Sequence, residues 1–447
     1  MLYFFVWSAF LGLASHEQQS RAASVSQANH FLQELYFYPI ATRESLLREF
    51  DPDQIVKDAT VNFPRIDEMS GVSIIVYWAQ LCPRRDRCDF SMIDQILEYW
   101  GKLGKKVVLC VATTGAPIEK IDSAKIEFVS ATPDWVLREI STFQADSNNF
   151  IGAYRDWSAM ANNPRYKFNF PRYDDRRFLR EVKHLVRELG NRYDGNPAIA
   201  YMRIGTGKSG EDNPSGRIGQ AWFTNHLWIE YSRKVEEYYL ANFRKTHLEF
   251  DVLWMTIVAA GVKNGTPITS SEQKEAQRFI DDIVSEQIFI AYNGVGPRPA
   301  IEMPGATAAD PRAECAGYNA TPDNTTTPMD AAPYSQIERL RKRGVSFGLE
   351  GNALSDPCMY PGRIAALLDY YKPARFIFFG DAAALINFQR QGINDKNSYE
   401  VDDLVNVLVP WTNKKDSSER RAQAMSQINA FGTEIERLVR ERVAVRQ

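Results

Sequence analysis

The chain has 447 residues, 44% of them hydrophobic and 12% aromatic, with 53 Lys and Arg against 56 Asp and Glu for a formal net charge of −3. This composition excludes a disordered, collagen-like or disulfide-scaffold chain, and without a bulk positive field nucleic-acid binding is not expected. Beyond the first fourteen residues no apolar run approaches the roughly 20 residues that a membrane-spanning helix needs.

In chain order, the first feature is the apolar, uncharged run MLYFFVWSAFLGLA, followed by polar SHEQQSRAAS. Its length suits a secretory signal core, with Gly12-x-Ala14 as a small-residue cleavage site, so residues 1–23 are expected to be a signal peptide and the protein secreted. The competing reading is a buried N-terminal strand or helix. Three N-x-[ST] sequons, at Asn264, Asn319 and Asn324, fit a secreted glycoprotein.

Short apolar runs then alternate with helical patterns. The strand-like runs are 35–40, 72–78, 106–112, 198–204, 251–257, 287–292, 344–349 and 375–379. Continuous Val/Ile/Phe-rich runs of this length read as strands buried on both faces. Residues 90–103, 175–189 and 222–245 repeat apolar residues at three- and four-residue spacing, the mark of amphipathic helices. Eight such units predict an α/β chain folded as a (β/α)8 TIM barrel, a single catalytic domain over 24–447. Chemistry in such a barrel sits at the C-terminal ends of the strands. Long loops are expected on that face as insertions at 113–174 and 293–333, and a charge-rich helix over 418–442 closes the chain.

The cysteines add staples to that face. Cys82 and Cys88 bracket the polar loop PRRDR, and Cys315 and Cys358 fall in loops leaving the same face of neighbouring strands, so two disulfides are candidates. Cys110 lies inside an apolar strand and reads as a free core thiol. The alternative is five ordinary reduced cysteines. The five histidines form no close ligand spacing, and neither metal nor cofactor is expected.

Residues 205–209, Gly-Thr-Gly-Lys-Ser, imitate the end of a phosphate loop. Met202 occupies the place of the pattern's first glycine, and turn formers at 210–216 replace the helix whose N-terminus would cradle phosphate. Carboxylates at strand ends carry more chemistry: Glu211 beyond the fourth strand, Glu350 closing the seventh in GVSFGLEGN, and Asp381 after the eighth. An acid ending an apolar strand is costly to bury without a purpose or partner. Two carboxylates across a barrel mouth can serve as general acid and as nucleophile or base in glycoside cleavage. Tyr77, Trp78, Trp135 and Tyr292, at strand ends and in the long third loop, offer rings on which the apolar faces of sugars stack.

The segment VYWAQLCPRRDRCDFSMIDQILEYWGKLGKKVVL (76–109) resembles the second strand, helix and third strand of clan A glycoside hydrolases, beta-galactosidase-like members above all. SATPDWVL (130–137) is similar to their Ala-Thr-Pro-x-Trp element, with Trp135 at the matching place. YDDRRFLREVKHLVRELGNRYDGNPAIAYMRIGTGKSGE (173–211) looks like the helix and strand that present the acid/base. The resemblance spans roughly residues 35–385. It implies Glu350 as nucleophile, Tyr292 as a tyrosine contacting it and Trp135 as a substrate contact; Tyr77, Trp78, Asn293 and Asp381 join them as candidate substrate-binding residues at or beside strand ends. Two departures mark a divergent member. Gly205-Thr206 stands where the group shows Asn-Glu, so the acid is displaced to Glu211 in a Gly-x-x-Gly-Glu arrangement similar to inverting beta-amylase-type barrels. The tryptophan that commonly ends strand eight is absent.

The expectation is a secreted glycoside hydrolase acting on a poly- or oligosaccharide, with Glu211 as acid/base and Glu350 as nucleophile, or as base if the enzyme inverts. The alternative is a catalytically inactive barrel that binds a glycan.

Overall fold

Alternating side chains decide the architecture, because each buried strand must satisfy two different environments. A computed structural model describes residues 34–38, 69–85, 87–115, 120–122, 125–127, 130–145, 168–207, 210–214, 222–259, 261, 268–285, 287–295, 332–353 and 374–379. Its strands are β1 (Glu34–Tyr38), β2 (Gly71–Tyr77), β3 (Lys106–Ala112), β4 (Lys120–Asp122), β5 (Lys125–Glu127), β6 (Thr142–Ala145), β7 (Phe168–Pro171), β8 (Ile199–Arg203), β9 (Leu248–Val252), β10 (Ile288–Val295), β11 (Phe347–Ala353) and β12 (Arg375–Phe379). The helices are α1 (Trp78–Leu81), α2 (Ser91–Lys102), α3 (Asp134–Leu137), α4 (Arg176–Tyr193), α5 (Asn225–Asn242), α6 (Trp254–Ala259), α7 (Ser270–Ile283) and α8 (Ala332–Lys342).

Eight strands close a barrel in the order β1-β2-β3-β8-β9-β10-β11-β12, every neighbouring pair parallel, with β12 returning to β1 through Glu34 beside Arg375. One side-chain set points out to the helices: Val72, Ile74 and Val76 of β2, Leu248, Phe250 and Val252 of β9, and Phe347 and Leu349 of β11 all join the main core. The opposite set fills the barrel. The expected (β/α)8 fold is the one observed.

The helices form where the sequence offers caps and stripes. Asp175 caps α4 by accepting from the N–H groups of Arg177 and Phe178, and Phe178, Leu179, Val182, Leu185, Val186 and Leu189 bury one face of it. Thr269 and Glu272 make a reciprocal capping box on α7. Between β3 and α4 run two antiparallel ribbons, β4 with β5 and β6 with β7. Phe143 and Phe170 stack across the second ribbon at 5.6 Å, and Phe143 packs on Trp222 and Tyr173.

The fifth barrel strand differs from expectation. It is 248–252 rather than 251–257, and Trp254–Ala259 is helical. An apolar run alone cannot distinguish a buried strand from a buried helix. The true strand, LEFDV, alternates apolar and acidic residues, a pattern that ordinarily marks a solvent face; here the acids face the barrel interior. Trp78, expected to end the second strand, begins α1 instead.

Several expectations lie outside the described residues: the signal segment 1–23, the sequons, Cys315, Cys358, Asp381 and the helix at 418–442.

Candidate active site

The seventh barrel strand carries Glu350 on its inner face, opposite the apolar Phe347 and Leu349, and its side chain is fully buried. Burying a carboxylate requires a partner. Arg203, ending β8 inside the barrel, supplies it: Nη2 donates to Glu350 Oε2 at 2.7 Å and to Glu249 Oε1 at 2.9 Å. Its Nη1 lies 3.0 Å from Asp251 Oδ2. A second buried arginine, Arg375 of β12, donates from Nη1 to Glu249 Oε2 at 2.6 Å. Its guanidinium lies 4.6 Å from the ring centre of Tyr201 and 4.8 Å from that of Phe289. Below them the Tyr201 hydroxyl donates to Glu34 at 3.0 Å.

Two of the acids at the centre, Glu249 and Asp251, experience opposite fields. Burial pushes the Glu249 carboxyl up, but Arg203 and Arg375 outweigh it and hold the group below the usual carboxylate range. Asp251 is driven the other way, well above its ordinary value, first by burial and then by the nearby Glu350, with Arg203 opposing. Glu249 is therefore a fixed anion, and Asp251 keeps its proton where an ordinary aspartate has lost it.

Glu211 reaches the same neighbourhood by a folded-back loop. The Asp212 N–H donates to the Asp251 carbonyl at 3.0 Å, and the Gly207 N–H to the Glu211 carbonyl at 2.8 Å. Only glycine fits at 210: φ is +79°, and a Cβ there would lie 2.0 Å from Cys110 Sγ. The Glu211 charge acts on both Asp251 and Cys110. The adjacent Asp212 is structural, accepting from Trp228 Nε1 and from the Met255 N–H, each at 2.6 Å. Gly207 and Gly210, which flank the end of the phosphate-loop look-alike, thus bring an acid back beside Asp251.

Tyr77 faces inward with Ala112 and Ala131. Three other candidates are not brought to Glu350. Trp78 comes one residue after inward Tyr77 and so points to the helix layer, where it packs on Phe178 and on Trp135. Trp135 donates from Nε1 to the Cys82 carbonyl at 2.9 Å and lies under the Arg85 guanidinium. Both tryptophans line a cleft of about 210 Å³ between the Cys82–Cys88 loop and α4. Tyr292 shares the outward face of β10 with Ile288 and Ile290 and packs on Phe347; it sits beside Leu349, on the opposite side of the wall from Glu350. The residue parity of the strands places it away from Glu350, against the expected contact between the two. Asn293 follows it within β10.

Cys82 and Cys88 form the expected disulfide, and Cys110 is free and buried. Among the described residues one group could share a cation: the ligand atoms of His226, Glu230 and Glu275 lie within 4.8 Å of one another. It stands on the outside of α5 and α7, where a 2.7 Å His226–Glu275 hydrogen bond accounts for the proximity. Among those residues no helix is long and apolar enough to cross a membrane.

Sequence inspection missed Arg203, Glu249, Asp251 and Arg375. Their signal was present, as charged residues inside strands otherwise buried on both faces.

The molecule is a (β/α)8 barrel with an acidic, arginine-braced centre inside its wall. A family model described as beta-galactosidase, glycoside hydrolase 42, matches residues 52–243, which include Arg203 and Glu211 and stop before β9. A beta-galactosidase of Haloferax lucentense is 26% identical over 144 residues, which is 32% of this chain and 17% of that protein's length. Similar solved structures include endo-glycoceramidase II from Rhodococcus sp. in a cellobiose-like imidazole complex, at 11% identity and TM-score 0.40 over 78% of this chain and 73% of that one. The beta-amylase catalytic domain from Paenibacillus polymyxa has 10% identity and TM-score 0.45, over 81% and 98% of the respective chains. Residues 52–243 are thus similar to the beta-galactosidases of glycoside hydrolase family 42, and the chain spans only a small part of the length of the curated relative it matches.

Proposed function

We propose that this barrel hydrolyses O-glycosidic bonds of an oligo- or polysaccharide, with Glu350 and Glu211 as its two catalytic carboxyls. The observation that carries the reading is the Glu350 carboxylate on the inner face of β11, held at 2.7 Å by Arg203 in the same electrostatic neighbourhood as Glu211. The Arg203 guanidinium fixes the position of the Glu350 carboxyl on the inner face of the barrel. Glu350 attacks the anomeric carbon while Glu211 protonates the departing oxygen. Glu211 then takes a proton from water, which displaces Glu350 from the sugar. This route retains anomeric configuration. Tyr77, inward at the end of β2, supplies an aromatic wall to the sugar subsite.

The Cys82–Cys88 disulfide supports an oxidising, extracytoplasmic setting for the enzyme. The names of its relatives make 4-nitrophenyl β-galactoside the first substrate to assay, followed by a panel of other aryl glycosides and polysaccharides. Wild-type turnover that Glu350→Gln reduces by about 10³-fold or more is the expected result. Full activity in Glu350→Gln refutes the assignment. Proton NMR of the first-formed product is expected to show retention; inversion would recast Glu350 as the base that activates water. Glycan binding without turnover by the wild type would favour a non-catalytic, glycan-binding barrel.

A further inference from the structure

Counting buried charge around Arg203 shows that the centre contains more than a nucleophile and its brace. Arg203 and Arg375 face three carboxyls: Glu249, Asp251 and Glu350, every one of these five side chains fully buried. Glu249 takes a guanidinium on each oxygen, one from each arginine. Of these two arginines, Arg203 is the one that reaches both remaining acids, Glu350 through Nη2 and Asp251 through Nη1. With every acid ionised the group would bury a net negative charge, which is expensive in a low-dielectric interior; with one acid protonated it is neutral.

We propose that Asp251 is a positioning residue for Glu350, acting through Arg203: it holds the Nη1 edge of the guanidinium as a neutral acceptor, so that Nη2 stays aimed at Glu350. The proposal rests on Glu350 as the nucleophile. A neutral acid suits the task, because it fixes the guanidinium without competing for its charge. The groups facing Asp251 sort the proton accordingly. Arg203 comes from β8, Glu350 from β11, Glu211 from the return loop, Glu249 from its own strand, and the Cys110 thiol from β3. Three of these are acids and one is a cation already shared. Burial and the Glu350 charge together keep the proton on Asp251. Its backbone carbonyl also receives the Asp212 N–H, so β9 ties the positioning residue to the loop that carries Glu211.

Difference infrared spectroscopy of the full chain tests the charge assignment without needing a substrate. Wild type minus Asp251→Asn at pH 7 is expected to show one protonated-carboxyl band, and that band is expected to weaken in the Glu350→Gln background, where two acids already balance two arginines. Absence of the band from the wild type overturns the proposal, whether or not the protein turns over any glycoside. Kinetics on a cleaved glycoside test the positioning. Asp251→Ala is expected to lower kcat by about 10²-fold with little change in KM, the scale of a small misplacement of a reacting group. Asp251→Asn, which keeps an acceptor for Arg203, is expected to recover most of that loss and to flatten the alkaline limb of the pH–rate profile. Equal kcat in Asp251→Ala and wild type, or a wild-type pH profile in Asp251→Asn, rejects the proposal. A circular dichroism spectrum of each variant separates misfolding from mispositioning, and Asp251→Asn decides the matter if Asp251→Ala does not fold. Full activity in Glu350→Gln would refute the nucleophile assignment separately.

Discussion

At the scale of single residues, the parity of a strand decides what a side chain can do. Glu350 and Leu349 are neighbours in sequence and lie on opposite sides of the barrel wall, one on Arg203 and the other in the helix-facing core. Tyr292, beside Leu349, shares its side. Its hydroxyl is buried and finds no hydrogen-bond partner among the described residues. Removing a buried hydroxyl that makes no bond costs little and can stabilise. Tyr292→Phe is therefore expected to leave kcat within about twofold of wild type and to hold or raise stability by up to about 1 kcal/mol, measured by steady-state assay and urea denaturation. A loss of tenfold or more in kcat would show that the outward tyrosine serves the reaction after all.

Among the elements, the loop from Gly205 to Pro214 has the largest consequence for chemistry. Its described residues, 205–207 and 210–214, are not helical, and they fold back on β9 and α6 through Asp212, which receives the Trp228 indole and the Met255 N–H. Its glycines allow close approach: a Cβ at Gly205 would lie 2.5 Å from the Val111 carbonyl oxygen, and one at Gly210 would meet the Cys110 sulfur. Gly210→Ala adds a side chain where the backbone is left-handed and the space is filled. It is expected to destabilise by at least about 1 kcal/mol and to lower kcat more than it raises KM, because Glu211 follows immediately. Thermal denaturation and a kcat/KM assay check both. Unchanged stability would mean that the loop can be rebuilt without its contact to the barrel.

For the whole molecule, the buried charge cluster couples stability to pH in two opposing ways. Glu249 is held below its ordinary value, so its contribution is present above the unfolded-state value and disappears as pH falls through the native one. Asp251 is held above its ordinary value, so its contribution is intact below about pH 4 and declines as pH rises toward the native value, where the unfolded chain has already given up the proton. Asp251→Asn removes only the second dependence. The variant is expected to exceed wild type in urea stability at pH 7, with the difference narrowing toward pH 4. A difference that stays constant across that range would show that Asp251 titrates normally in the folded protein.

The order of strands and helices, the barrel class, the Cys82–Cys88 bridge and the presence of an acid at 350 in a buried run were legible in the sequence, because each rests on local pattern: a continuous apolar run, a three-and-four spacing, a six-residue cysteine separation, one carboxylate among apolar residues. The expected strand end at Glu350 was not, since β11 runs on to Ala353. The placement of Tyr292 and Trp78 was not, since a shift of one position along a strand exchanges interior for exterior and an apolar run on both faces does not reveal which is which. Nor was the arginine-braced centre. Arg203, Glu249, Asp251 and Arg375 are far apart in sequence and acquire meaning only when closure of the barrel brings β8, β9, β11 and β12 around one water-excluded interior. Local sequence determined which residues could be buried. Only the closed tertiary structure decided which charges would have to share a partner, because electrostatic energy in a low-dielectric core depends on distance through space and not along the chain.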